Sequence, residues 1–424
     1  MTTPNEPMRM LAPSSFRQAL SRRALFQIGG AAAGLAIIGA ACGSDDKSTD
    51  TTAAGGTDTT AASNTTAGGG GGSDLLSQYS NVINKSSGNL AMFTWGDYND
   101  PYIIGALAES TLGVTMKVDY YPSNEDLITK LSSSGGASGF DIVVPTGPYI
   151  PQMVEKGLLQ KFNKDLLPNM SNVDPFYMAR DWDPGNDYSV CKNWGSTGWF
   201  YDKTKITKPI TTWQEFMDAC AGEASGRCSW LDAGPNVCGP YFWANGINWT
   251  TEKAEDLDAC EEYLVGTIAQ HIKAFDSYPS SALAEGAYDL SMAWNGDARQ
   301  AYFRIADAGG NPDNWVWGLG APATEIWMDT YCIAAGAPNV EGAHAWINWL
   351  LTPEISIKDL NYHGYHSGMK QIDKLIAELL PELVRADMIF FTDDQVKTME
   401  TGAVNSAQDR LIEIFDKVKA KAAG

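Results

Sequence analysis

The stretch "FDIVVPTGPYIPQMVEKGLLQKF", residues 140–162, decides the fold class. Ile142, Val143 and Val144 form an uninterrupted β-branched run, the pattern of a strand covered on both faces, and Pro145 halts it. The segment from Tyr149 to Phe162 then reads as a helix. Upstream, "GNLAMFTW" (88–95) is a buried strand whose end delivers Trp95 and Asp97 into a loop, and "GVTMKVDYYPS" (113–123) is a second strand. Ser123 followed by Asp126 makes a capping-box start for the helix "NEDLITKLSSS". Strands alternating with helices predict an α/β fold with a mainly parallel sheet. In such sheets the loops after strand C-termini form the ligand crevice. Trp95, Asp97 and Thr146 all stand at such ends.

The scheme continues downstream. "YSVCKNWGSTGWFYDK" (188–203) predicts a long strand, "TTWQEFMDAC" a helix from about Thr212, and "CSWLDAG" a short strand ending at Asp232. "YDLSMAWNGD" (288–297) is another strand, delivering Trp294 into a turn. "EGAHAWINWLLTPE" and "AQDRLIEIFDKVKAKA" are helices; in the first, Ala343, Trp346, Ile347 and Leu350 share one face, with Trp346 in the core and Trp349 flanking it.

The N-terminal end reads as an export segment. Arg22 and Arg23 precede Leu25, Phe26 and an uncharged apolar run from Ile28 to Ala41, too short for the roughly 20 residues that span a bilayer. Residues 1–41 are therefore expected to be a twin-arginine-like signal peptide, and Cys42 after "IIGAA" a lipidated N-terminus, the other reading being an ordinary cleavage after Gly39-Ala40-Ala41 that leaves Cys42 free. Almost no aliphatic or aromatic side chain lies between Cys42 and Leu75, and residues 42–87 are expected to be a flexible linker. The expected location is outside the cytoplasmic membrane, tied to its outer face.

The chain carries 51 Asp and Glu against 30 Lys and Arg, a net charge of −21, which excludes nucleic-acid binding by clustered basic residues. Fourteen tryptophans are more than a core of this size needs. Besides Cys42 there are Cys191, Cys220, Cys228, Cys238, Cys260 and Cys332, an even set that suggests disulfides in an exported chain, with Cys220–Cys228 the first candidate across a short loop.

Three motifs set a tryptophan within three residues of an aspartate: "FTWGDY" (Trp95, Asp97, Tyr98), "AWNGD" (Trp294, Asp297) and "IWMDT" (Trp327, Asp329). In bulk water a carboxylate attracts an ammonium by only about 1 kcal/mol at 4 Å. A tryptophan wall excludes water and adds a π face worth roughly 0.5–2 kcal/mol to a cation. The combination suits an amine. Asp297 is the weakest of the three acids, because a helix N-terminus accepts its charge without a ligand and Arg299 competes for it. His363 and His366 lack acids at ligand spacing, so no metal site is expected. No nucleophile elbow, phosphate loop or dinucleotide motif occurs, and neither catalysis nor a cofactor is expected.

In order, "FTWGDY", "YYPSNEDLITKL", "FDIVVPTGPYIPQMVEKGLLQKFNKDLLPNMSNVDP", "DPGNDYSV", "MAWNGDA", "IWMDT" and "GYHSG" resemble the spermidine/putrescine-binding proteins of bacterial polyamine ABC transporters, from residue 89 to about 370. The resemblance implies a type II periplasmic-binding-protein fold: two α/β lobes, residues 88–193 with 328–372 and residues 194–327 with 373–424, and a ligand cleft between them. It implies a monomeric receptor that passes its solute to a permease. By carry-over the ligand positions are Trp95, Asp97, Tyr98, Thr146, Asp232, Trp294, Trp327, Asp329 and Tyr365, the acids pairing with ammonium groups and the rings enclosing the methylene chain.

Three departures bear on specificity. Pro148 stands where the family has a tyrosine, with Tyr149 one place later; Pro235 stands where a second acid often follows the central aspartate; and the family's late glutamine has no clear counterpart. One end of the cleft is thus expected to hold its amine more loosely or to hold another group. Two other readings stay open at this level: a receptor for a different small organic cation, and a surface enzyme acting on a polymer.

Overall fold

A computed structural model describes residues 88–134 and 138–424; the signal segment, Cys42 and the linker lie outside the described residues. Eleven strands build a continuous sheet: β1 (Gly88–Thr94), β2 (Val114–Tyr120), β3 (Ile142–Val143), β4 (Leu159–Gln160), β5 (Val190–Asp202), β6 (Cys228–Trp230), β7 (Ile272–Phe275), β8 (Leu290–Trp294), β9 (Trp315–Leu319), β10 (Thr324–Ala334) and β11 (Met399–Thr401). Their order through the main path is β2-β1-β3-β10-β5-β8-β6-β7. The helices that matter here are α1 (Asn124–Ser133), α2 (Ile150–Glu155), α3 (Trp213–Ala221), α4 (Gly234–Ala244), α5 (Ala254–Tyr263), α6 (Asn295–Asp307), α7 (Val340–Leu350), α8 (Pro353–His363) and α9 (Gln408–Ala422).

Local signals place these elements. Ser123 caps α1 by accepting from the Asp126 amide, and Thr212 with Glu215 forms a complete capping box on α3. Parallel pairing occurs in the βαβ units, β2-β1-β3 in one lobe and β7-β6-β8 in the other, and where the short β11 joins the start of β10. The long strands β5 and β10 cross between the lobes and run antiparallel to their neighbours β3 and β8 and to each other. The sheet is therefore mixed rather than mainly parallel, because the chain must pass to the second lobe and return.

Each lobe has its own core. Leu90, Met92, Ile142, Ile333 and Trp346 are buried in the first, and Trp199, Trp213, Phe216, Trp230 and Ile414 in the second. Beyond residue 373 the chain touches both lobes: Leu375 and Ile389 pack in the first core, Met388 packs with Phe200, Ala293 and Ala298 on the second-lobe side, and Ala407 and Leu411 lie in the second core. Trp349 is as buried as Trp346, because α7 is covered by β1 and β10 and also by the turns at Lys164–Leu166 and Pro168–Asn172.

The helix expected from Tyr149 to Phe162 ends at Glu155. Gly157 takes a left-handed φ of 66°, which turns the chain so that Leu159 and Gln160 pair with β10 as β4. The expected disulfides are also corrected. The six cysteines among the described residues are buried free thiols: Cys220 lies beside Cys228, the pair expected first, and accepts from the Trp230 indole, Cys228 donates to the His271 carbonyl and Cys260 to the Cys238 carbonyl, with Cys191 and Cys332 apart from them. They pack as small apolar side chains within the two lobes.

Candidate functional site

The ends of β1, β3, β6 and β8 converge on one face of β10, and a cavity of about 470 Å³ opens there between the lobes. After β1 the Trp95 indole N–H donates to the Val144 carbonyl at 3.0 Å and its ring meets Tyr121 edge-on at 4.7 Å. The chain then reverses at Asp97, whose φ is 50°, and sends Tyr98 inward. After β3, Thr146 is fixed by Asn124, which donates to its hydroxyl and accepts from its amide, each at 3.0 Å.

These two loops meet on Asp329. The Tyr98 hydroxyl donates to its Oδ2 at 2.5 Å and the Thr146 hydroxyl to its Oδ1 at 2.7 Å. Two residues earlier on the same strand face, Trp327 packs edge-on against Tyr365 with centroids 4.8 Å apart. Gly195 on β5 makes room for that indole: a Cβ there would collide with the Trp327 ring and with the Asn295 side chain. Gly195→Ala is expected to lower ligand affinity about tenfold, the low end of the 1–3 kcal/mol that overpacking costs, with far-ultraviolet circular dichroism unchanged. Undiminished affinity by titration would show that Trp327 need not lie flat on β5.

From the second lobe, Trp294 faces Trp95 with centroids 6.5 Å apart, and Asp297, in the first turn of α6, accepts from the Tyr365 hydroxyl. Several contacts bridge the lobes: the Gly96 amide donates to Tyr278 Oη, Gln408 donates to Glu125, and Arg304 pairs with Asp97 at 3.0 Å.

Three carboxylates in this cavity are buried without a cation. Asp329, Asp297 and Glu325 are hydrogen-bonded by neutral groups and have no ion pair among the described residues. Burial is the main cause that raises all three acids above the usual carboxylate range, Asp329 to about 6, Asp297 to about 7 and Glu325 to about 7, against the lowering by their hydroxyl and amide donors and, for Asp329, by the charge of Lys192, which is not ion-paired with it. The neighbouring Asp97 raises Asp297 further.

All nine positions singled out in the sequence line the cavity, namely Trp95, Asp97, Tyr98, Thr146, Asp232, Trp294, Trp327, Asp329 and Tyr365. They are not equivalent. Asp97 pairs with Arg304, and Asp232 pairs with Lys419 at 2.7 Å; their side chains are 40% and 41% exposed. Asp297, read as a helix-start charge, lies buried in the cavity, and Arg299 does not compete for it: its guanidinium donates to the Val384 and Asn361 carbonyls. Glu325 escaped the sequence reading, although its two-residue spacing from Trp327 and Asp329 on a strand places all three on one face. A glutamine, Gln408, lines the cavity at the start of α9.

His363 and His366 are structural. His363 Nδ1 accepts from the Tyr365 amide, and His366 Nδ1 accepts from the Gly368 amide and the Trp194 indole. Among the described residues no group of His, Cys, Asp and Glu is arranged to hold a metal ion.

Residues 103–379 match the profile of the bacterial extracellular solute-binding proteins. The chain belongs to that family. Among curated solute-binding proteins it is 30% identical to the spermidine/putrescine-binding periplasmic protein of Salmonella typhimurium, over 78% of this chain and 91% of that protein. It is 28% identical to the protein of the same description from Escherichia coli, over 79% of this chain and 92% of that one. A solved structure described as a spermidine/putrescine ABC transporter from Listeria monocytogenes superposes with a TM-score of 0.69 at 26% identity, covering 78% of this chain and 99% of that one. The fold of this solute-binding protein is thus the two-lobed α/β type, with the acidic, aromatic cavity between the lobes.

Proposed function

We propose that this protein captures a polyamine between its lobes and delivers it to the permease of an ABC importer, without chemical conversion. The observation that carries the reading is the set of three buried carboxylates, Asp329, Asp297 and Glu325, facing tryptophan and tyrosine walls with no ion-paired cation among the described residues. Buried charges are ordinarily paired, and an uncompensated one costs several kcal/mol. A multivalent organic cation supplies the missing charge, its ammonium groups at the acids and its methylenes between the rings of Trp95, Trp294 and Trp327. The relatives named for spermidine and putrescine support the same solute class.

The same proposal places the receptor outside the cytoplasmic membrane. The Arg22-Arg23 segment would direct export, and Cys42, lipidated, would tether a monomeric receptor through the linker to residue 87.

A melting panel of polyamines, monoamines, sugars and anions tests the solute class. Ligand at 100 times its Kd adds about 2.7 kcal/mol of stability, so spermidine or putrescine should raise the melting temperature by several degrees while sugars and anions leave it unmoved. The polyamine reading fails if millimolar polyamines produce no shift.

A further inference from the structure

Glu325, Trp327 and Asp329 occupy alternate positions on β10, and the pairing with β5 runs without interruption from Ile326 to Asp329, the bulge falling only after Asp329. Their side chains therefore share the face that lines the cavity. At about 3.3 Å per residue the two carboxylates leave the backbone roughly 13 Å apart, with the indole between them.

Glu325 is built as an acceptor. The Thr197 hydroxyl, at 2.7 Å, and the Asn236 amide both donate to Oε2, and Oε1 accepts no hydrogen bond from the described residues. Asn236 lies in the first turn of α4 and immediately follows Pro235, the position where the family resemblance puts a second acid. The nearby acid Asp232 is engaged by Lys419, leaving Glu325 as the buried carboxylate at this end of the cavity with no ion pair among the described residues.

We propose that Glu325 is the second anchoring carboxylate of the cleft and that the Glu325–Trp327–Asp329 row selects a long linear triamine over a four-carbon diamine. This rests on the polyamine reading. At standard bond lengths the nitrogens of an extended four-carbon diamine stand about 6 Å apart, and the terminal nitrogens of a triamine with three- and four-carbon spacers about 11 Å. The longer cation spans from Asp329 to Glu325 and carries its inner ammonium past the Trp327 face; the shorter one, held at Asp329, does not reach Glu325.

The test is a calorimetric titration at pH 8 of wild type and Glu325→Gln with spermidine, putrescine and α,ω-diamines of increasing length. Wild type should prefer spermidine to putrescine by at least about tenfold, and diamine affinity should climb towards a chain of about eight carbons, whose nitrogens stand some 11 Å apart. In Glu325→Gln, spermidine should weaken by about 30-fold or more and putrescine by less than about threefold, which flattens the chain-length series. Equal losses for both amines, no loss for either, or a wild-type series without length dependence overturn the assignment of Glu325 while leaving the polyamine reading intact. If wild type binds no amine, both fall. Glu325→Asp, which keeps the charge but shortens its reach, controls for folding: it should retain putrescine affinity and lose part of the preference for spermidine.

Discussion

Asp329→Asn should weaken polyamine binding by at least about 100-fold and, at pH 7.5, raise the melting temperature of the ligand-free protein. Both effects come from one cost. Asp329 is 6% exposed, and burial moves its carboxyl from an ordinary 3.8 to about 6. At about 1.4 kcal/mol per pH unit, holding the ionised form in this site costs on the order of 3 kcal/mol. Removing the charge relieves that cost in the free protein, and the hydroxyls of Tyr98 and Thr146, which donate to the carboxylate, can rotate to meet an amide. With ligand bound the balance inverts, because losing one member of a buried charge pair costs roughly 3–5 kcal/mol. Titration calorimetry reads the first effect and ligand-free melting the second. A variant with wild-type affinity would remove Asp329 from the site; a lower ligand-free melting temperature would make the carboxylate a structural element. Asp97→Asn and Asp232→Asn should do less, since both side chains are about two-fifths exposed and already paired, with Arg304 and Lys419.

That ranking marks where the sequence was legible and where it was not. Strand ends were readable from local chemistry: the apolar run closed by Pro145, the caps at Ser123 and Thr212, and Trp95 and Trp294 where strands become loops hold in the structure, whereas Trp327, expected at such an end, lies within the long strand β10. The nine positions inferred from the family resemblance share one cavity. Less legible was anything set by distant partners. Leu158 and Leu159 fit a helix or a strand until the left-handed Gly157 and the edge of β10 decide. Asp297 sits where a helix start explains an acid by itself, and only its burial beneath Tyr365 shows that it faces the cavity. Pairing is equally non-local. Nothing near Asp97 or Asp232 in sequence announces that Arg304 and Lys419 reach them, and nothing near Glu325 announces that no such cation does.

The same three buried acids make binding a proton-linked reaction. Affinity for a polyamine should fall by at least about 100-fold between pH 8 and pH 5.5, and complex formation near pH 6.5 should release protons. In the free protein Glu325 and Asp297 titrate at about 7 and Asp329 at about 6, raised chiefly by burial. An ammonium at each acid favours its ionised form and lowers these values, so binding below pH 7 must first expel protons. The sign for stability follows: these carboxyls contribute stability that is full below their unfolded values and lost as pH rises through about 6 to 7. The ligand restores it, so the ligand-induced melting shift should grow from pH 5.5 to pH 8. The two histidines beside the cleft do not confuse the window, because burial holds His363 well below its usual range and His366 at about 3, leaving both neutral throughout. Calorimetry in two buffers of different ionisation enthalpy counts the protons. Affinity that stays level from pH 8 to pH 5.5, with no proton release, would mean that the three carboxylates are already ionised in the empty cleft. The cation that compensates them would then have to be the protein's own, with Lys192, whose charge acts on Asp329, the first to test by Lys192→Met.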